Sequence, residues 1–557
     1  MPMVNAMPRL PAAGDPIPRN PPGSALADLF EPLDGLLVSG GDPRLRLDPA
    51  TGTNEYGCRP HPCPDTLSFA SCTATSISER AYGRVSQARD ELMQSVIKVG
   101  LEAAFDARIE AMREELKAAL GLPPREVEVV FAPSGTDAQL QALWLAQVWL
   151  GPALTTVIVA ADQTGSGTAD TARGRHFSAA TASGSVVRKG EPIEGLADGV
   201  ESVAISLRDE TGGFRSPAQT DTLVLDAVEQ AVANDGHVML QIMDSSKLGW
   251  RAPSEACLDQ IAARWPGRVQ IVVDACQMRL GRPRLRNYLA RGYIVIVTGS
   301  KFFTGPAFSG ALLVPGGVSS MLDSASGSAS GLSAYSGRSD WPMRWPGVRS
   351  RFPVRANFGQ WLRWEAALEE IRCYFGVPDE IRRTVLAAFG QGTERIIEAS
   401  PSLRLLPRWQ PAEDRSRDEE LAPATIFPFL ISHRGRLFSP GECRKVYRAL
   451  ARIAATGGPA TAAQACQIGQ PVALGDVALG DVALGNLALG ELERQPAAAL
   501  RICASARLVT EAFASDQNGM GGAIQHELER VGVIVAKLEW LVAHPDGQEF
   551  ADACHEA

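Results

Sequence analysis

The chain is poor in lysine. Only seven of its 54 basic residues are lysines, at positions 98, 117, 189, 247, 301, 445 and 537, against 47 arginines. A lysine set in a distinctive pattern therefore carries information. No stretch approaches the ~20 apolar residues of a membrane-spanning helix, so none is expected. No basic block is present and the net charge is −9. That balance excludes nucleic acid and anionic membrane surfaces as expected partners. Residues 1–23 are proline-rich without an apolar run, which reads as a disordered arm rather than a secretory signal, and the expected compartment is the cytoplasm. The ten cysteines are scattered rather than clustered, which predicts reduced thiols rather than a disulfide framework. Cys58, His61 and Cys63, with Cys72 further on, are too cramped for a zinc knuckle and lack a second pair, so no metal is expected. What remains is ordinary globular composition, 45% hydrophobic and 21% charged, enough for a sizeable core.

The pattern along 557 residues predicts an α/β protein in three parts. Residues 1–85 read as an arm and a loop region that covers the active site. Residues 86–357 alternate short apolar runs with amphipathic stretches. The runs 127–131, 155–161, 202–207, 237–243, 269–275, 293–299 and 311–315 are nearly continuous and β-branched, as in strands buried on both faces of a mainly parallel sheet. Segment 316–350, rich in Gly, Ser and Arg, reads as a long surface loop. Residues 358–557 fit a smaller α+β domain, with strands at 425–432 and 501–509. Residues 472–491 form four pentads whose five-residue period matches neither helix nor strand, and read as a repeat expansion in a loop or, secondarily, a lid.

Three segments at predicted strand ends carry chemistry. Ser134-Gly135-Thr136-Asp137-Ala138 places small and hydroxyl residues at a helix start, where backbone N–H groups and hydroxyls bind an anion; a plain N-cap explains the same residues equally well. Asp274-Ala275-Cys276-Gln277 puts a carboxylate at the carboxyl edge of the sheet, where α/β ligands bind, or caps a turn. Ser300-Lys301 follows an apolar strand and precedes Gly305-Pro306. A lysine there is awkward as a structural residue, and its chemical use is a Schiff base with a carbonyl group.

Together the three segments resemble the fold type I superfamily of pyridoxal-phosphate enzymes. The nearest likeness is the class V aminotransferase group, which includes cysteine desulfurases, selenocysteine lyases and kynureninases. The resemblance covers residues 90–315 and extends loosely beyond them. It implies a large domain with a seven-stranded, mainly parallel sheet and pyridoxal 5'-phosphate as cofactor. Lys301 would hold the cofactor as a Schiff base and move the substrate's Cα proton. Asp274 would pair with the ring nitrogen, and Gln277 would donate to the ring phenolate oxygen. Gly135, Thr136 and Ser300 would bind the phosphate, with Ser134 nearby. The ring-stacking position falls in loop 162–168, where Gln163 or Thr164 takes the place of the usual aromatic or histidine. Ser300 stands where many relatives carry histidine.

On the substrate side, the resemblance implies an arginine that grips a carboxylate bidentately. Arg501 matches, with Arg507 as runner-up. Ser246, Lys247 and Tyr56 are candidate pocket residues. Cys466 faintly matches a desulfurase nucleophile loop. Arg355 and Asn357 fall where relatives touch a neighbouring subunit, which implies a homodimer with composite sites. The expected function is an amino-acid aminotransferase. The alternatives are a Cβ–S or Cβ–C lyase and a non-catalytic scaffold.

Overall fold

The computed structural model describes residues 25–210, 212–319, 330–407, 421, 423–453, 460–477, 495–515 and 519–544. Its strands, in chain order, are β1 (Leu67–Phe69), β2 (Val127–Ala132), β3 (Leu154–Val159), β4 (Val200–Ile205), β5 (Val238–Met243), β6 (Val269–Asp274), β7 (Ile294–Thr298), β8 (Gly310–Pro315), β9 (Leu403–Leu405), β10 (Ile426–His433), β11 (Arg436–Leu437), β12 (Cys466–Val477) and β13 (Gln495–Cys503). Seven of them form one sheet in the order β2-β8-β7-β6-β5-β3-β4. Only β8 runs against its neighbours, and the remaining pairs are parallel. The expected mainly parallel α/β sheet is thus present.

The strands are apolar on both sides because both sides are covered. Successive side chains point to opposite faces. Val130, Val272, Ile294, Ile296 and Leu312 pack with the buried helix Gly135–Leu150 on one face. Val129, Val273, Val295, Val297 and Leu313 face the helices Glu79–Val99, Leu101–Ala119 and Phe358–Gly376 on the other. Among the described residues no helix is long and apolar enough to cross a membrane.

A second sheet runs β1-β12-β13-β10-β11, with β9 added on β10. Its edge strand β1 comes from the N-terminal region and pairs in parallel with β12. The segment Ser71–Thr73 that follows β1 is thereby fixed beside β13.

Two expectations need correction. Residues 501–509 are not one strand. β13 ends at Cys503, the Ser505 side chain accepts a hydrogen bond from the Leu508 N–H, and the helix Ala506–Ala514 follows. Segment 316–350 is not wholly a surface loop either. Trp341 is fully buried, stacks on Phe352 with centroids 4.9 Å apart, and meets Trp144 edge-on at 5.2 Å. Of the pentads, Val472–Val477 belong to β12, and residues 478–491 lie outside the described residues.

Candidate active site

The carboxyl ends of the parallel strands bring the three sequence segments to one edge. Asp274 ends β6, Ser300 and Lys301 follow β7, and Ser134 to Thr136 link β2 to its helix. They line a cavity of about 340 Å³ together with Tyr56, Lys247 and Arg501. Its other walls include Arg44, Cys72, Thr73, Phe308 and Gln470. The backbone is unusual here. Ala160, Met278, Thr304 and Phe308 are non-glycine residues in the left-handed region, with φ between 51° and 71°. All four lie in loops that follow β3, β6 or β7. Such conformations cost about 1–3 kcal/mol each and persist where surrounding contacts enforce them, typically at functional sites.

Asp274 is buried, and its Oδ1 accepts the Cys276 N–H at 3.1 Å. The Thr298 hydroxyl donates to the Cys276 carbonyl at 2.6 Å, which ties the β6 loop to the end of β7. The Lys301 backbone carbonyl accepts from the Thr304 N–H, and the Gly299 carbonyl from the Gly305 N–H. The loop is therefore anchored by its main chain. Among the described residues, the Lys301 amine has no hydrogen-bond or ion-pair partner.

At the helix start, both readings of Ser134 meet. Its hydroxyl accepts from the Thr136 and Asp137 N–H groups, as an N-cap does. That leaves the Gly135 N–H outside the cap, with the Thr136 and Ser300 side chains on the same wall. A Cβ at Gly135 would fall 2.6 Å from the Cys276 Sγ, so the turn and the Asp274 loop can approach this closely only with glycine there.

Ser134 also donates to Asp137, at 2.5 Å. Burial, with nearby Asp42, pushes the Asp137 carboxyl up to about 7, against the Ser134 hydrogen bond. The folded chain therefore holds this proton more tightly than the unfolded chain, and stability falls as pH rises from about 4 to 7. A tenfold difference in acidity is worth about 1.4 kcal/mol, so the loss is at most on the order of 4 kcal/mol. Asp137→Asn should match the parent at pH 4 and exceed it at pH 8, as measured by urea unfolding. Parallel curves across that range would refute the assignment.

Lys247 follows β5. Burial, then the charges of Arg501 and Lys301, push its ammonium down to about 8, with Asp274 and Asp162 opposing. Arg501 sits on β13 and is 2% exposed. Its Nη1 donates to the Lys247 carbonyl at 3.1 Å, and its Nη2 to the Thr73 hydroxyl at 3.2 Å and to the Gln470 carbonyl. Burial raises the Tyr56 hydroxyl to about 12, with the Arg44 charge opposing. The Asn54 side chain holds the Tyr56 turn by accepting from the Tyr56 and Cys58 N–H groups.

Several sequence candidates are not brought to this cavity. Gln277 is buried and its amide donates to the Cys72 carbonyl at 3.0 Å. Gln163 donates to Asp162, and the Thr164 hydroxyl to the Ala161 carbonyl. Gly165, Ser166 and Thr168 of the same loop form the wall instead. The Ser246 hydroxyl accepts from the Leu248 and Trp250 N–H groups and shapes its own turn. Arg507 reaches the Ser76 and Thr304 carbonyls. Arg355 and Asn357 are expected at a subunit contact rather than in this cavity; within the chain, Asn357 caps the helix Phe358–Gly376 and Arg355 donates to the Ser333 carbonyl.

Cys466 begins β12 and is 1% exposed. It lines a neighbouring cleft of about 1350 Å³ that shares only Glu55, Gln470 and Pro471 with the Lys301 cavity. Its thiol is pushed up to about 11 by burial, the opposite of what a nucleophile needs. The thiols at the Lys301 cavity are Cys72 and Cys276, which no sequence signal marks as site residues.

No family model and no curated protein matches the chain. Solved structures of similar overall shape include a NifS-like protein, 12% identical, covering 85% of this chain and 99% of that one at a TM-score of 0.46. The cystine C-S lyase C-DES, in complex with its product cysteine persulfide, is 13% identical, covering 84% and 98% at 0.47. A phosphoserine aminotransferase from Cytophaga hutchinsonii is 12% identical, covering 84% and 99% at 0.44. At this level of likeness, the case for a function rests on the chain's own residues.

Proposed function

We propose that the chain is a pyridoxal-phosphate-dependent enzyme of the fold type I kind that acts on an amino acid, most simply as an aminotransferase. One observation carries the reading. Among the described residues, an amine without a partner (Lys301), just after β7, and a buried carboxylate (Asp274), at the end of the adjacent parallel β6, line one cavity together with a glycine-bearing helix start. This donor set fits a phosphorylated aldehyde with a basic ring nitrogen. The cofactor, when bound, supplies an electron sink for the bonds at the substrate's α-carbon.

Each residue's part follows from its chemistry. Lys301 is the amine that engages the aldehyde and then carries a proton at its Nζ. Asp274 holds a proton on the ring nitrogen by its negative charge. The Gly135 N–H, at the positive end of a helix of sixteen residues, meets the phosphate with the Thr136 and Ser300 hydroxyls. Arg501 and Lys247 attract the substrate's carboxylate. Tyr56 and Phe308 line the same cavity.

The test is the visible absorption spectrum of the purified protein with added pyridoxal phosphate, followed by a panel of amino acids. A visible band that one amino acid bleaches, with a keto acid released, is the expected result. Release of sulfide or alanine instead would replace aminotransfer by a lyase reaction. A protein that stays colourless with excess cofactor would overturn the reading.

A further inference from the structure

The charges around the cavity do not balance. Arg501, Lys247 and Lys301 line it, Arg279 lies near Arg501 outside the lining, and none of the four has a carboxylate ion-pair partner among the described residues. Arg501 and Arg279 are 2% and 6% exposed, and their Nη groups donate only to carbonyls and hydroxyls. The Nε of each is buried without a hydrogen-bond partner. Asp274 is the one buried carboxylate on the cavity wall. Uncompensated buried charge is costly, so with no substrate carboxylate bound these cations call for a further anion.

Cys72 stands where that anion belongs. It lines the cavity beside Lys301 and Arg501. A Cβ placed on Gly469 would fall 2.5 Å from the Cys72 Sγ and 2.9 Å from the Arg501 Nε. The thiol and the unpartnered guanidinium N–H are thus both packed against the Gly469 backbone, so closely that only glycine fits there. Cys503 of β13, two residues from Arg501, packs against Cys72. The Cys72 main chain is fixed, because its carbonyl accepts from Gln277.

We propose that Cys72, packed with Arg501 at Gly469, is a nucleophilic modification site inside the Lys301 cavity for small anionic electrophiles. The groups that face it are Cys503 and Arg501 on β13, Arg279 after β6, Lys301 after β7 and Tyr447 on the helix Pro440–Leu450. Burial alone would raise the Cys72 thiol. The neighbouring Cys503 thiol and the charges of Arg501, Arg279 and Lys301 outweigh it and bring the thiol below the ordinary range. With a carboxylate-bearing disulfide, the Cys72 sulfur attacks one sulfur, a new S–S bond forms, the old one breaks, and the other half leaves as a thiolate. With a haloacetate, a C–S bond forms and halide leaves.

The inference does not depend on the cofactor. It is tested by limited alkylation of the full chain with iodoacetate and, separately, iodoacetamide from pH 5.5 to 9, with sites read by peptide mass spectrometry. Wild type and Lys301→Ala are labelled side by side, so a group held on Lys301 cannot mask the result. At pH 6.5, Cys72 should react at least about 10-fold faster than the half-exposed Cys63 and Cys373, since an ordinary thiol near pKa 8.5 is about 1% ionised there. The anionic reagent should be preferred at Cys72 alone. Cys503→Ala should move the Cys72 profile to higher pH. If Cys72 is unreactive in both proteins, rises only with an ordinary thiol profile, or shows no preference for iodoacetate, the proposal fails.

Discussion

Lys301→Ala should lose the cofactor-dependent visible band and reduce amino-acid turnover by about 10³-fold or more, on the scale of losing a positioned proton carrier together with its covalent role. Its folding stability should barely change. The Lys301 amine makes no hydrogen bond or ion pair among the described residues, and its loop is held by the main-chain bonds at Thr304 and Gly305. Removing a cation from the company of Arg501, Arg279 and Lys247 also relieves repulsion. The Lys247 ammonium, which Lys301 helps to hold down, should then titrate at higher pH. Unfolding curves for parent and variant should coincide within about 1 kcal/mol, the usual scatter for a residue without buried partners. A variant that unfolds easily would show that Lys301 is structural. One that keeps its colour would show that the cofactor is held elsewhere.

The contrast with Lys247 shows why a short-range pattern sufficed for one lysine and not for others. Lys301 follows a β-branched strand and precedes Gly305-Pro306, so its place at a strand end is written locally. Asp274 and Gly135 are legible for the same reason, and so is the sheet, whose buried strands read as continuous apolar runs. The rest of the cavity wall comes from residues far apart in sequence. Arg44, Tyr56, Cys72 and Thr73 precede the large sheet, while Gln470 and Arg501 follow it. They meet because β1 joins β12 across almost 400 positions, a pairing no local pattern encodes. Gln277 and Gln163 lie off the cavity wall for a different reason: each amide donates to a nearer local acceptor, the Cys72 carbonyl and Asp162. Composition misled at 316–350, where glycine and serine surround a tryptophan that is core.

The second large effect is expected far from the reacting atoms, at Arg363. This residue is fully buried in the helix Phe358–Gly376. Its guanidinium donates to four backbone carbonyls, those of Phe308 at 2.8 Å, Leu37 at 3.1 Å, Gly40 at 3.2 Å, and Ser39. Burial lowers its pKa to about 9, with Asp137 and Asp42 opposing, so it remains charged at neutral pH. One side chain thus fastens two pieces of the cavity wall to the core: the Lys301 loop through Phe308, and the N-terminal segment that leads to Arg44 and Tyr56. Arg363→Ala would leave buried acceptors unsatisfied and open a cavity. The expected loss is about 3–5 kcal/mol of unfolding free energy. Arg363→Lys keeps the charge but not the fork, and should lose less. The two variants should also differ in native-state proteolysis, with Arg363→Ala cut first within residues 37–57. Asn357 holds the same Gly40 carbonyl at 3.0 Å, so the double variant with Asn357→Ala should lose more than the sum of the single ones. Strict additivity would mean that the two side chains do not act as one clamp. Wild-type stability in Arg363→Ala would mean that the N-terminal segment is held by its apolar contacts alone.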